Sequence, residues 1–384
     1  MSPHFTLGIE EEFQLVDRIS GQLSPRIEAV LSRCRPVFGE QIKPELHQSM
    51  VELISDVLPD IQAARSEMGI LRGKLARLVA KDGLALISAG MHPTALWWEE
   101  PISPFERYRR LEEEYQDAIR CELIFGLHVH VCIESHEIAI AVMNQARNWL
   151  PHLLALSTNS PFWAGRLTGL KSYRSVIWRS SQRNGIPEIF PSYNDLDAYL
   201  QALMQAGCID NGKSIWWDVR RHPFFPTLEF RICDMPATFD DMIAIAALCQ
   251  ALVATLYWRE THGQTTTALP ACLIKENKWY AMRRGLDAEV IDFLQGRRLS
   301  MREAIAELLD FVDEVIDDLG SRHEIDYLRT LLSNPCGTGA DHQIAVYQQT
   351  GSMNAVLQML MQQALQGIPM GDALAATGLT RSRR

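Results

Sequence analysis

Charged or metal-binding side chains stand two positions apart in three short segments of this sequence. The segments are GIEEEF with Glu10 and Glu12, GLHVHV with His128 and His130, and TLEFRI with Glu229 and Arg231. In a β-strand, side chains at positions i and i+2 point to the same face. Each segment would therefore present two polar groups on one side of a sheet. Together the segments predict one sheet with a polar face that can bind divalent cations and phosphate.

Two further carboxylates, Glu45 and Glu52 in PELHQSMVELIS, would enlarge this cluster. Mg²⁺ and Mn²⁺ prefer oxygen ligands, and imidazole joins more readily for Mn²⁺. Carboxylates are almost never buried unpaired, so bound cations would balance their charge. Arg231 would offer a planar pair of donors to a phosphate oxygen. Metal-held phosphates beside an arginine form a phosphoryl-transfer site.

The sequence also leaves other interpretations of these residues open. Glu10 and Glu12 could form the solvent face of an edge strand, and Glu229 could form a structural ion pair with Arg231. No GxxxxGK[ST] or GxGxxG motif occurs, so a nucleotide would have to bind in a cavity of the sheet. The same carboxylates could instead activate water in a metal-dependent hydrolase.

Composition narrows the class of protein. Of the 384 residues, 47% are hydrophobic and 22% charged, which is typical of a globular enzyme. The net charge of −10 argues against nucleic acid as a partner. The eight cysteines form no CxxC pair and are interpreted as reduced thiols. We find no signal peptide and no apolar run of about 18 residues, so we expect a cytoplasmic enzyme without membrane contact.

Hydrophobic periodicity predicts the elements that must position these residues. Strands are predicted at 5–16, 50–57, 84–89, 126–133, 214–219 and 226–234. Helices are predicted at 58–80, 104–118, 138–157, 240–260, 300–319, 323–333, 341–351 and 353–366. The stretch 159–192 predicts a long loop that covers the substrate. No repeat or composition break appears, so we expect a single domain over residues 1–384 with a loose tail from about 377.

The chain resembles the carboxylate–amine ligase family that contains the type 2 glutamate–cysteine ligases, which are relatives of glutamine synthetase. Seven segments carry the resemblance, in the family's order: LGIEEEFQLVD, VELISDV, GLHVHV, SPFWAGRLTGLKSYRS, WWDVRRHPFFPTLEFRICD, ENKWYAMRRGLDA and GADHQIAVYQQTG. The resemblance implies an α+β fold in which a curved, mostly antiparallel sheet carries the active site on its concave face, with helices packed outside.

The resemblance further implies that ATP and Mg²⁺, with Mn²⁺ as the alternative, support amide formation. A glutamate-like acid would attack the terminal phosphate of ATP, and a cysteine-like amine would displace phosphate from the resulting acyl phosphate. The implied metal ligands are Glu10, Glu12, Glu45, Glu52, His128 and Glu229. Arg231 and Glu229 are the implied catalytic residues.

Binding of the acid substrate is assigned by the resemblance to Arg174, Tyr173, Arg220 and His92. Two residues depart from the family pattern: Cys132 stands where a glycine is expected, and Met91 stands where a small polar residue is expected. Both could alter the shape of the pocket. A non-catalytic metabolite-binding protein on the same fold is a further alternative, and a homodimer is compatible with a chain of this size.

Overall fold

The computed structural model describes residues 4–179 and 182–368 of the chain. The tail predicted from about 377 lies outside the described residues. The described residues contain these thirteen strands: β1 (Leu7–Asp17), β2 (Ile42–Pro44), β3 (Met50–Ile54), β4 (Leu84–Ile87), β5 (Gly126–Cys132), β6 (Phe162–Trp163), β7 (Arg166–Leu167), β8 (Asn184–Gly185), β9 (Trp216–Trp217), β10 (Val219–Arg221), β11 (Thr227–Asp234), β12 (Glu289–Asp292) and β13 (Arg297–Ser300).

Seven of these strands form one sheet in the order β10-β11-β5-β1-β3-β2, and β4 also pairs with β1. β3 pairs with residues 10–14 of β1, and β4 continues along residues 14–17. Every pairing in this sheet is antiparallel. The predicted α+β fold with an antiparallel sheet is confirmed, and the three segments with alternating polar residues all lie in this one sheet.

Fifteen α-helices are described: α1 (Ile27–Phe38), α2 (Ile61–Ala80), α3 (Glu106–Tyr115), α4 (Asp117–Arg120), α5 (His136–Ala146), α6 (Leu150–Ser157), α7 (Arg174–Trp178), α8 (Tyr193–Gln205), α9 (Phe239–Thr261), α10 (Ala271–Arg284), α11 (Met301–Phe311), α12 (Asp313–Ile316), α13 (Arg322–Ser333), α14 (Gly339–Thr350) and α15 (Met353–Gln363). Helices α2, α6 and α9 contact β1, β11 and β5, respectively. They supply the apolar layer that packs on the sheet.

The alternation along β1 shows why one side of the sheet becomes core. Ile9 and Phe13 are fully buried in the main hydrophobic cluster, while Glu10 and Glu12, at the intervening positions, are only partly buried. Side chains at alternate positions of a strand point to opposite faces. The apolar set therefore packs against the helices and leaves the carboxylates on the other face.

The central helix α9 is almost entirely apolar and runs behind the sheet. A capping box closes its amino end, where Thr238 and Asp241 exchange hydrogen bonds with each other's backbone. Among the described residues, α9 alone is long and apolar enough to span a membrane, and 89% of its most apolar window is buried inside the molecule. The apolar residues of α9 therefore belong to the hydrophobic core of the molecule.

Some elements differ from the predictions. The single helix predicted over 138–157 is divided into α5 and α6 by a 3₁₀ turn at Arg147–Trp149. Pro151 stands at the start of α6, where its missing N–H costs nothing and its ring fits a new helix. Helices α1, α8 and α10 were not predicted, because their apolar residues are interrupted by polar ones.

Candidate active site

The pairing register brings the predicted ligands side by side on the open face of the sheet. Three cross-strand pairs do this: Glu10 faces His128, Glu12 faces Glu52, and His130 faces Glu229. Directly opposite residues of an antiparallel pair point to the same face. The sequence placed these residues on separate strands, and the register now makes them immediate neighbours.

The first cluster contains Glu10, His128 and Glu229. One ligand atom from each lies within 4.8 Å of the others. The Nδ1 of His128 lies 2.9 Å from one carboxylate oxygen of Glu10, and the Nε2 of His130 lies 3.3 Å from the other. Two carboxylates and an imidazole at this spacing are a ligand set for Mg²⁺ or Mn²⁺.

The second cluster contains Glu12, Glu52 and, again, His128, with ligand atoms within 4.8 Å of one another. The Nε2 of His128 lies 3.8 Å from Glu12 Oε1. His128 therefore belongs to both groups. The arrangement offers two adjacent cation positions on one face, as in sites where metal ions bridge phosphate oxygens.

The charges of this second cluster are poorly balanced by the protein itself. Burial and the charge of Glu45 raise the pKa of Glu12 to about 8. Burial and the charges of Glu10, Glu45 and Glu12 raise the pKa of Glu52 well above its ordinary value. Carboxylates that repel one another in a buried hollow favour a bound dication. The donor set thus fits a hard divalent cation.

The two histidines of β5 have different charge states. Burial and the neighbouring Arg231 lower the pKa of His128 to about 4, so its imidazole is neutral and available as a ligand at neutral pH. Burial opposes protonation of His130 as well, but the carboxylates of Glu229 and Glu10 outweigh it and raise the pKa of that imidazole. Burial opposes ionisation of Glu10, but the hydrogen bond with His128 and the close contact with His130 outweigh it and hold the pKa of Glu10 well below normal.

Glu229 lies at the centre of two arginine contacts. Arg220 donates to both of its carboxylate oxygens, at 2.7 and 3.2 Å, and Arg231 donates to it as well. Burial opposes ionisation of Glu229, but Arg220 and then Arg231 outweigh it and lower its pKa. The Nη1 of Arg231 also lies 3.5 Å from His128 Nδ1. Arg231 therefore lies on the cation-binding face, where the sequence predicted it.

Glu45 approaches the same carboxylates from the segment between β2 and β3. Its backbone carbonyl accepts a hydrogen bond of 2.5 Å from Ser103 Oγ. Burial raises the pKa of its side chain, Arg107 opposes that shift, and Glu10 adds to it. The side chain is close enough to influence Glu12 and Glu52 electrostatically, although neither of the two tight clusters includes it.

Arg174, in the short helix α7, is buried at the end of the open face near Glu12 and Gly126. Its guanidinium donates to the carbonyls of Ile232 (3.2 Å) and Arg231 (3.1 Å). Its charge also acts on Glu12. A side chain at Gly126 would collide with the Arg174 guanidinium, so the glycine lets the arginine reach the site. Arg174 thus borders the carboxylates, and its Nε has no hydrogen-bond partner among the described residues. Its role in binding the acid substrate stays a prediction.

Asp234 holds the loop that carries Arg174. This buried carboxylate accepts hydrogen bonds from the hydroxyls of Ser160 (2.7 Å) and Ser172 (2.8 Å) and from the backbone N–H of Asn159 (2.9 Å). Ser160 Oγ in turn accepts a hydrogen bond from the backbone N–H of Arg174 at 3.0 Å. Asp234 was not among the predicted site residues. The signal in the sequence was a carboxylate at the end of the apolar strand TLEFRICD.

The remaining predicted substrate-binding residues behave differently. His92 lies beyond the end of β1: its Nε2 is 2.9 Å from the Gly21 carbonyl, and its Nδ1 accepts from the N–H groups of Thr94 and Ala95. Both ring nitrogens are occupied by these backbone contacts, through which the imidazole ties its loop to the turn at residues 17–22. The substrate role of His92 stays a prediction.

Arg220 and Tyr173 are the last two residues predicted to bind the substrate. Each guanidinium nitrogen of Arg220 donates a hydrogen bond, either to Glu229 or to the carbonyls of Lys213 and Ile215. Arg220 therefore holds Glu229 in place, and its contact with a substrate stays a prediction. Tyr173 stacks on Trp163 with ring centres 5.1 Å apart, and it stays a prediction.

A comparison with known families decides the wider relationship. The family model described as glutamate–cysteine ligase family 2 matches residues 6–359. The chain belongs to this family. A Roseiflexus castenholzii protein with the provisional name glutamate–cysteine ligase 2 is 47% identical over 366 residues, which cover 95% of this chain and 96% of that protein. The family thus confirms the resemblance and identifies an enzyme of the ligase class.

Solved structures show that the fold of this family 2 chain is shared more widely. The Francisella tularensis glutamate–cysteine ligase in complex with AMP has a TM-score of 0.70 at 14% identity, covering 97% of this chain and 92% of that one. A bifunctional glutathione synthetase from Pasteurella multocida has a TM-score of 0.69 at 14% identity, covering 94% of this chain and 52% of that one. At these identities the likeness concerns the fold. The comparisons give no support to the hydrolase alternative.

Proposed function

We propose that this family 2 ligase joins a carboxylic acid to an amine at the expense of ATP, through an acyl phosphate. One observation carries the proposal: carboxylates and a neutral imidazole from β1, β3, β5 and β11 form two adjacent cation-binding clusters, with Arg231 beside them. Such a surface suits a polyphosphate bridged by dications. The AMP complex of the structurally similar Francisella enzyme supports a nucleotide as the phosphate donor.

The ligands we propose for Mg²⁺, or alternatively Mn²⁺, are Glu10, Glu12, Glu45, Glu52, His128 and Glu229. When bound, the cations would neutralise phosphate charge and orient the oxygens for in-line attack. Arg220 keeps Glu229 ionised and aimed at the open face. Arg231, which bonds to Glu229 on the same face, would stabilise the charge that develops on the transferring phosphoryl group.

The reaction would have two steps. A carboxylate oxygen of the acid attacks the terminal phosphorus of ATP, the bond to the bridging oxygen breaks, and ADP leaves with that electron pair. The amine, as the free base, then attacks the acyl carbon, the bond from that carbon to the phosphate oxygen breaks, and the nitrogen passes one proton to the departing phosphate or to solvent as the amide forms. Arg174, beside Glu12 at one end of the face, is placed to hold the acid, and Tyr173 is the weaker candidate.

Substrate identity and cellular context extend this proposal. The name of the Roseiflexus relative favours a glutamate-like acid and a cysteine-like amine. We also propose a single catalytic domain and a cytoplasmic location, without nucleic acid or membrane partners. A homodimer stays a prediction.

The decisive experiment follows ADP release as a function of both substrates. ADP should form only when acid, amine, ATP and Mg²⁺ are all present, and a heavy-oxygen label in the acid's carboxylate should appear in the released phosphate. The Glu229→Gln variant should be inactive, while Glu289→Gln, at an exposed position of β12, should retain wild-type rates. Phosphate without label would contradict the acyl-phosphate route, and turnover without ATP would favour a hydrolase.

A further inference from the structure

The turn between β10 and β11 presents exposed aromatic rings next to the cation-binding face. Phe224 and Phe225 are 58% and 57% exposed, although large aromatic side chains usually contribute buried area. The ring of Phe225 stacks on that of His222, with centres 4.5 Å apart and planes 10° from parallel. His222 in turn contacts the ring of His130 at 5.4 Å. A continuous line of rings thus leads from the cation-binding face to the surface.

This aromatic turn is rigid. His222 Nδ1 accepts hydrogen bonds from the N–H groups of Phe224 (3.2 Å) and Phe225 (2.9 Å). The carbonyl of Phe225 accepts from Arg221 Nη1 and from the Thr227 N–H, both at 2.8 Å. Pro223 and Pro226 restrict the backbone further. A surface held in this way can bind a flat ring with little loss of conformational entropy.

The two ends of the open face differ in chemistry, and this gives an ATP molecule a direction. At one end Arg174 and Arg231 both lie against the ring of Trp178, at 5.4 and 5.6 Å. The positive guanidinium groups at this end suit the negative charges of the reacting phosphoryl group and of the acid. The acid must lie beyond the terminal phosphate, so the nucleoside must extend the opposite way along β5 and β11.

Small side chains line that opposite direction. Gly8 lies across from His130 and has no side chain on this face. Cys132 and Thr227 form the next cross-strand pair toward the turn, and neither is large. These small residues lie between the phosphate-binding residues and the turn that carries the rings of Phe225 and His222.

From this arrangement, which rests on the proposed function, we infer that the β10–β11 turn is the shelf on which the purine base of ATP stacks, with Phe225, backed by His222, as the contact surface. Stacking on an aromatic ring needs only the flat face of the base. The shelf therefore explains how a chain without a glycine-rich nucleotide loop holds its nucleotide. Lys213, whose Nζ lies 5.2 Å from the Phe224 ring centre, flanks the same surface.

The test measures binding rather than turnover, by calorimetry with Mg²⁺ present. Wild-type protein should bind both ADP and inorganic triphosphate. Phe225→Ala should weaken ADP binding by about 10-fold or more and leave triphosphate binding unchanged. The matched control is Trp258→Ala, because Trp258 is also an exposed ring stacked on a histidine, His262, at 4.4 Å. It should change neither affinity.

Other results would overturn the inference in distinguishable ways. If Phe225→Ala binds ADP as tightly as wild type, the base lies elsewhere while the proposed ligase function stands. If wild-type protein binds neither ADP nor triphosphate, the proposed function fails and the shelf fails with it. If the variant alters the sedimentation coefficient but not ADP binding, the turn is a contact between protein chains.

Discussion

Glu12 and Glu52 lie directly opposite each other across the β1–β3 pair, and both side chains are largely buried, with 12% and 7% exposed. Like charges at such cross-strand positions destabilise a sheet, and burial strengthens the repulsion. The pair therefore destabilises the metal-free protein, and a bound cation would remove that destabilisation. This relationship gives the most direct test of the metal site.

We expect Glu52→Gln to stabilise the metal-free protein by about 1 kcal/mol, because burial and the neighbouring glutamates oppose ionisation of Glu52, whereas an amide is neutral without taking up a proton. The same change should abolish most of the stabilisation by Mn²⁺, which for a wild-type site at 100 times its Kd is about 2.7 kcal/mol. Urea unfolding with and without Mn²⁺ measures both effects, and Glu289→Gln serves as the control. A variant that Mn²⁺ stabilises as strongly as wild type would remove Glu52 from the site.

The two arginines that bind Glu229 should differ when each is replaced by lysine. Arg231→Lys should lower kcat by about 100-fold or more, because a point charge cannot reproduce a planar guanidinium on the transferring phosphoryl group. Mn²⁺ affinity should change little. Arg220→Lys should instead weaken Mn²⁺ binding, because a lysine cannot reproduce the paired hydrogen bonds of Arg220 to both carboxylate oxygens of Glu229. Steady-state kinetics and metal titration of both variants separate the roles, and identical profiles would contradict this division.

Alternation predicted which residues share a face, and the register of β1, β5 and β11 confirms that inference. It could not predict partners, because these come from distant segments: the hydrogen bond between Glu10 and His128 joins positions 118 apart. The contact of Arg220 with Glu229 could not be predicted either, because it arises from the pairing of β10 with β11. The role of His92 depended on the carbonyl of Gly21, a backbone group in a turn that no side-chain pattern reveals.

His92 should make folding stability depend on pH. Burial lowers its pKa to about 4, whereas an unfolded chain has a histidine pKa of about 6.5. Between these values the unfolded state binds more protons, so the free energy of unfolding should fall as pH falls from about 6.5 to 4, by up to about 3 kcal/mol.

The variant His92→Asn tests this pH dependence, because an asparagine oxygen can replace Nδ1 as the acceptor for Thr94 and Ala95. Urea unfolding between pH 4 and 7 (roughly the interval in which histidine titrates) should give a shallower slope than in wild type. His4→Asn, at an exposed position, controls for the loss of an imidazole. An unchanged slope in His92→Asn would show that another group carries the effect.

A buried ion pair on the opposite face of β1 should be essential for stability. Glu11 and Arg72 are both fully buried and bonded to each other, and Arg72 also donates to the Ala364 carbonyl at 3.2 Å. Arg72→Ala should destabilise the protein by about 3–5 kcal/mol, because it leaves a buried carboxylate unpaired. The double change Glu11→Leu with Arg72→Met should recover most of that loss. Equal destabilisation of the single and double variants, measured by urea unfolding, would contradict this explanation.

The consecutive glutamates of β1 have a consequence for how the chain finds its native strand alignment. Shifting a strand by one residue exchanges its two faces. Such a slip would bury Glu10 and Glu12 in an apolar layer where Arg72 can neutralise only one of them, and would leave Ile9 and Phe13 in water. The three glutamates that equip the site thereby also disfavour a one-residue slip of β1, because that slip incurs a large electrostatic penalty on the buried face.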